Sequence, residues 1–348
     1  MRTDLVAALD FGGTKIAGAL VGADGRIRVR AQRPTPAREP GETVMRAVEE
    51  VLAELEASPL WASAVAVGIG SAGPVDASTG AVSPINVPGW RDFPLVERVR
   101  EATGGLPVTL VGDGVAMTAA EHWQGAARGY DNALCLVVST GVGGGLVLGG
   151  RLHTGPTGNA GHIGHIVVDL DGDPCACGGR GCVERIASGP YIARRALDGG
   201  WRPGLDGDTT AAAVAAAAHA GDPVAVASFE RAAQALAAGI AATASLVEID
   251  IAVVGGGVAG AGEVLFAPLR RALRTYATLS FIRDLTVVPA LTGTDAGLLG
   301  AAAAAADAMT DTATDTATDA VPGGAAGGAT GDGASRGAGR VAGDSVRD

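Results

Sequence analysis

The chain has 348 residues, 47% of them hydrophobic, and a formal net charge of −11. That length suffices for one large or two ordinary domains with a sizeable core, and the acidic balance leaves no electrostatic footprint for nucleic acid or an anionic membrane. Glycines interrupt every long apolar run, so no membrane span is expected; the opening MRTDLVAALDFGGTK does not read as a signal peptide, and a cytoplasmic, reducing compartment is expected.

The predicted elements alternate between strand and helix. Leu5–Asp10 reads as a buried strand, followed by strands Ile16–Val21 and Arg26–Gln32 around the turn ADGR, all three antiparallel. Glu42–Ala57 spaces its apolar residues as a helix. Strands Ala64–Gly70 and Val108–Val111, a helix over Val115–Ala127 and strands Ala133–Ser139 and Gly145–Leu148 come next, with Cys135 as inert core. A long helix at Val226–Glu248, a strand at Ile251–Val254, a helix at Ala261–Thr278 and the segment Asp295–Ala306 close the ordered part. From Asp307 the chain turns to Thr/Asp repeats and then to Gly, Ala and Ser, a composition that cannot offset the entropy of ordering, so 307–348 is predicted to be a disordered tail.

DFGGTKIAGAL near the start and VVSTGVGGGLVL in the middle share one plan of strand, glycine turn and strand. The repeat predicts two similar α/β lobes around a cleft: residues 1–114, completed by 295–306, and residues 115–294.

Three glycine turns are candidates for phosphate. The first puts Asp10 at a strand end before Gly12, Gly13, Thr14 and Lys15, the only lysine in the chain. The second contains Thr140, Gly141, Gly143 and Gly144, and the third Gly256 and Gly257. Glycine lets backbone approach a ligand, and successive N–H groups form anion nests. Asp10 is a candidate Mg²⁺ partner through water. None of the three has the Walker spacing or a clean dinucleotide fingerprint.

Cys175, Cys177 and Cys182 lie within eight residues, with His165 upstream. Three thiolates and an imidazole make a closed tetrahedral Cys₃His zinc set with no open position, hence structural. A redox pair would more naturally read C-x-x-C, and a disulfide would need an oxidising compartment. The loop 165–184 ends at Glu184, two residues past the last cysteine.

Together these motifs resemble the ROK family, whose members are repressors, uncharacterised reading frames and sugar kinases. The resemblance spans residues 4–306. It is most specific in CACGGRGCVE with GHIGH upstream, and it extends to the DFGGTK start, STGVGGG, VVGGGV and DAGLLGAA. It implies an actin/hexokinase-like, RNase H-like fold whose two lobes hold a sugar and ATP with Mg²⁺, a structural Zn²⁺ and a homodimer. It also implies phosphorylation of a hexose 6-hydroxyl. Carried over by position, Asp113 in VGDGVAM resembles the catalytic base, and it also reads as an N-cap for the helix predicted to begin at Val115. Asn86, His165 and Glu184 resemble sugar contacts.

Two positions depart from the family pattern. Gly112 stands where Asn usually precedes the base, and His162 stands where the glucose kinases carry Glu. GHIGH followed by the cysteine loop and IASG (Ile186–Gly189) is similar to bacterial N-acetylmannosamine kinases, so an N-acylated hexosamine is the expected substrate, with glucose as the alternative. A non-catalytic sugar sensor is the alternative class. A repressor would need a helix-turn-helix ahead of Asp10, and an actin-like filament protein would need neither the zinc loop nor Glu184.

Overall fold

The computed structural model describes residues 4–205 and 207–318. The chain begins with β1 (Leu5–Phe11), β2 (Lys15–Gly22), β3 (Ile27–Pro34), α1 (Gly41–Glu56), β4 (Ala64–Ser71), β5 (Val75–Asp76), β6 (Ala81–Val82), α2 (Leu95–Ala102), β7 (Val108–Gly112) and α3 (Asp113–Gln124). It continues through β8 (Ala133–Val138), β9 (Val142–Leu148), β10 (Arg151–His153), α4 (Val183–Ala187), α5 (Gly189–Asp198), α6 (Ala211–His219) and α7 (Pro223–Val247). It closes with β11 (Ile251–Gly255), α8 (Glu263–Tyr276), β12 (Thr286–Pro289) and α9 (Ala296–Thr318).

Two five-stranded sheets result, β3-β2-β1-β4-β7 and β10-β9-β8-β11-β12. Each joins an antiparallel three-strand meander to two parallel strands. The repeated sequence plan is therefore a repeated sheet, and the fold is the expected two-lobed, actin/hexokinase-like α/β class. The parallel strands need crossovers that cover both faces, which is why β1 and β11 read as continuous apolar runs and are almost wholly buried.

α1 packs on the first sheet because Val44, Met45, Val48, Val51, Leu52 and Leu55 recur at helical spacing and are all buried. α7 starts sharply: Asp222 accepts the N–H groups of Val224 and Ala225, and Pro223 occupies the first turn. Its small residues then allow close packing against α8, in the core of the second sheet. α3 packs on β8 and β9 and also reaches β4 and β7, so it belongs to both halves. The boundary expected between residues 114 and 115 falls inside this helix. Leu298, Ala301, Ala302 and Ala305 of α9 pack with Val6, Ala8 and Ala66 of the first sheet.

Three expectations change. α3 begins at Asp113 rather than Val115, so the N-cap position is Gly112, and Asp113 is the first helical residue. Gly143 and Gly144 lie within β9 rather than in a turn, and α3 crosses there backbone to backbone: a Cβ on Gly114 would stand 2.5 Å from the Gly144 nitrogen. α9 continues past Ala306 to Thr318, into the segment read as tail. The tail from residue 319 lies outside the described residues. No single helix among the described residues is long and apolar enough to cross a membrane.

Candidate active site and metal centre

A cleft of about 770 Å³ opens between the two sheets. From the first half it is lined by Asp10, Gly12, Gly13, Asn86 and Asp113; from the second by Thr140, Gly141, Gly143, Gly144, His162, His165 and Glu184. Thr14, Lys15, Gly256 and Gly257 are outside the lining. Lys15 is the exposed first residue of β2, and its charge acts on Asp10 from there. Gly256 adopts φ +86° and lies against the Val138 carbonyl, with Gly257 beside Ser139 at the cleft edge.

Asp113 stands where β7 ends and α3 begins, and its Oδ1 accepts the Gly114 N–H at 2.7 Å. Burial raises its pKa above the ordinary carboxylate value, opposed by the Gly114 N–H and by His162. A place in the first turn also favours its anion through the helix dipole. Asp10, at the end of β1, is likewise raised by burial, with Lys15 pulling it down and Asp113 pushing it up. Two carboxylates thus line one cleft and raise each other's cost of ionisation, an arrangement that a divalent cation would relieve.

The Gly12 N–H donates to the Lys15 carbonyl at 3.0 Å and closes the turn after β1. Neither Gly12 nor Gly13 has a positive φ. A Cβ at Gly13 would instead displace the Asn86 side-chain amide, which lies over the turn. Phe11, at the end of β1, stacks on Trp90 at 4.4 Å, four residues past Asn86 in the chain, and this ring contact holds the Asn86 loop down.

His162 and His165 stack at 4.9 Å between ring centroids. Burial and the neighbouring His165 ring hold the His162 pKa below its ordinary value. His165 turns Nδ1 toward Cys175 Sγ at 3.9 Å, while the residue also lines the cleft. Cys177 and Cys182 lie 3.8 Å apart, and one ligand atom from each of His165, Cys175, Cys177 and Cys182 falls within 4.8 Å of all the others. Zn–S bonds of about 2.3 Å in a tetrahedron give S···S edges of about 3.8 Å, so the donor set and its spacing fit zinc. Burial and the crowding of the other cysteines push the Cys182 thiol up to about 12; three thiolates cannot gather here without a cation between them. Cys135 is fully buried, and its thiol is pushed far above the ordinary range by burial, consistent with inert core.

Sequence reasoning missed Asn159. Its Nδ2 donates to the Val75 carbonyl at 2.9 Å and to the carbonyl and hydroxyl of Thr157, both at 3.1 Å, and the residue lines the cleft. It straps a loop of the second half to β5 of the first. Glu184 accepts the Val142 N–H, a contact that its position after the cysteines did not announce.

The ROK family model matches residues 6–308. The chain is 43% identical over 299 residues to an N-acetylmannosamine kinase of Escherichia fergusonii, covering 86% of this chain and 97% of that protein. It is 37% identical over 307 residues to a glucokinase of Thermotoga maritima, covering 85% and 95%. Among solved structures, a ROK glucokinase from Streptomyces griseus in complex with glucose and AMPPNP superposes with a TM-score of 0.72 at 35% identity, covering 87% of this chain and 99% of that one. On its motifs, its duplicated sheets and these full-length relatives, the chain belongs to the ROK family.

Proposed function

We propose that this chain, a sugar kinase of the ROK type, transfers the γ-phosphoryl group of ATP to the 6-hydroxyl of an N-acylated hexosamine, N-acetylmannosamine before glucose. The observation that carries the reading is Asp113 at the first turn of α3, lining a cleft to which Asp10, Asn86, His162 and Glu184 also contribute. The sugar 6-oxygen attacks the γ-phosphorus, its proton passes to the Asp113 carboxylate, and the bond from that phosphorus to the β-phosphate oxygen breaks to release ADP. Such transfers ask for positioning and charge neutralisation rather than covalent chemistry, and a well-placed base contributes roughly 10²–10⁴-fold.

Asp10 is the residue that would hold Mg²⁺, and the cation would supply charge neutralisation on the phosphates. Gly12, Gly13, Thr140, Gly141, Gly143 and Gly144 give the backbone surface for ATP; Thr14, Lys15, Gly256 and Gly257 flank it. His165, Cys175, Cys177 and Cys182 would hold a structural zinc that fixes the loop carrying Glu184. Nδ1 of His165 faces the cysteines, which leaves Nε2 for the sugar.

The preference for an acylated amine rests on His162. A neutral imidazole, favoured by the lowered pKa, offers a donor and an acceptor, whereas Glu offers acceptors only. Gly112, whose missing side chain would meet only Val75 Cγ2 at 3.9 Å, leaves room beside the base. An ADP-release assay over a panel of hexoses and N-acetylhexosamines tests the reading. Turnover of N-acetylmannosamine above glucose is expected; a preference for glucose overturns the substrate, and no turnover with any sugar overturns the enzyme in favour of a sugar sensor.

A further inference from the structure

α3 carries a second carboxylate, Glu121, about 12 Å beyond Asp113 at 1.5 Å per residue. It is wholly shielded from solvent. Its Oε2 accepts the Ala126 N–H at 2.7 Å and the Leu291 N–H at 3.2 Å. Its Oε1 accepts the Leu291 N–H at 2.9 Å, the Thr292 N–H at 2.7 Å and the Thr292 hydroxyl at 2.5 Å. Ala126 lies on the passage from α3 to β8. Leu291 and Thr292 lie on the passage from β12 to α9. One carboxylate therefore holds both stretches of chain that connect the second sheet to the first.

The chain beyond Thr292 reaches the cleft. α9 begins at Ala296, and its Gly297 lies so close to Asp10 that a Cβ there would overlap the carboxylate. Gly300 lies equally close to the Ala116 carbonyl of α3. With no side chain between them, α9 cannot slide along α3 without moving against Asp10. Asp113 sits at the other end of the same α3.

We propose that Glu121 is a positioning residue: by locking the start of α9 to α3, its carboxylate sets how Asp10 and Asp113 stand relative to one another on their shared wall of the cleft. The proposal rests on the kinase reading above. A carboxylate suits the task because all its lone pairs accept, whereas an amide would turn an NH₂ group toward N–H and O–H donors already in place. Misplacement of a reacting group by an ångström can cost on the order of 10²-fold.

The experiment is a double-mutant cycle on the full chain. Glu121→Gln is expected to lower kcat about tenfold at saturating ATP and sugar, with the sugar KM within about twofold. In the Asp113→Asn background, where the base is already lost, the same change should cost less than about threefold, because residues acting through one another are not additive. A merely structural Glu121 would lower the folded fraction alike in both backgrounds; equal losses, or no loss, overturn the proposal. Thr292→Val removes only the hydroxyl donor and keeps the backbone bond. It repeats the cycle with a smaller loss, and it decides the matter if Glu121→Gln does not fold. Full turnover by Asp113→Asn alone would instead bring down the base assignment, and the positioning of that base with it.

Discussion

The Glu184 carboxylate accepts the Val142 N–H at 2.9 Å, which ties the first turn of α4 to the start of β9. Cys182 immediately precedes that turn as its N-cap residue. Whatever orders the cysteine loop therefore also orders a cleft side chain.

One zinc per chain is expected on metal analysis of purified protein, and its absence would refute the assignment. Cys182→Ala or chelation should lower the melting temperature, since structural zinc binding is folding free energy, on the order of 10 kcal/mol in zinc-finger peptides and less in a chain with its own core. The KM for sugar should rise more than that for ATP, because Glu184 loses its anchor while the Asp10 turn does not.

Asp113→Asn should fold, bind ATP and lose turnover by roughly 10²–10⁴-fold. In the parent enzyme kcat/KM should fall on the acid side with a midpoint above the ordinary carboxylate value, since burial raises Asp113. Stability runs the opposite way with pH. A carboxyl whose folded pKa is raised binds more protons folded than unfolded, so stability declines as pH rises through that window. The Asn variant escapes this cost: it should melt higher than the parent at neutral pH, and the gap should close as pH falls toward the ordinary carboxylate value. Thermal melts across pH 3–8 (about five units, enough to span the window) check both limbs.

Gly13→Ala should impair the enzyme through Asn86. The new methyl overlaps the Asn86 amide and turns it out of the place it holds over the turn. A higher sugar KM is expected in steady-state kinetics, and Gly13→Ala combined with Asn86→Ala should melt closer to the parent than Gly13→Ala alone. A single variant with unchanged kinetics and melting would refute the clash.

His162→Glu with Gly112→Asn should move kcat/KM from N-acetylmannosamine toward glucose by roughly tenfold or more, as one or two sugar hydrogen bonds at about 0.5–1.5 kcal/mol each would give. Competition between the two sugars in one reaction measures the ratio directly.

The Cys/His cluster was legible because its residues lie close together in the chain, and the duplicated α/β plan because the strand pattern occurs twice. Asn159 and Glu121 were not, for one physical reason. Their partners stand far away in sequence: Val75 is 84 residues from Asn159, and Leu291 is 170 from Glu121. No local periodicity encodes such a bond. Gly143 and Gly144 were legible as glycines and misread as part of a turn. Within β9 they serve a close crossing by α3, which becomes visible only when both elements are in place. Asp113 shows the opposite case: its placement at the start of α3 followed from the local pattern to within two residues.

The solitary lysine has a practical corollary. Lys15 is exposed at the first position of β2, hydrogen-bonded through its carbonyl to the turn after Asp10. An acylating reagent aimed at lysine side chains finds a single address on this protein, next to the surface proposed for ATP. The extent of side-chain labelling then reports occupancy of that surface as one number, with no mapping of where the label went. Coupling the enzyme to a support through its lysine would, for the same reason, tether it by the rim of its own cleft.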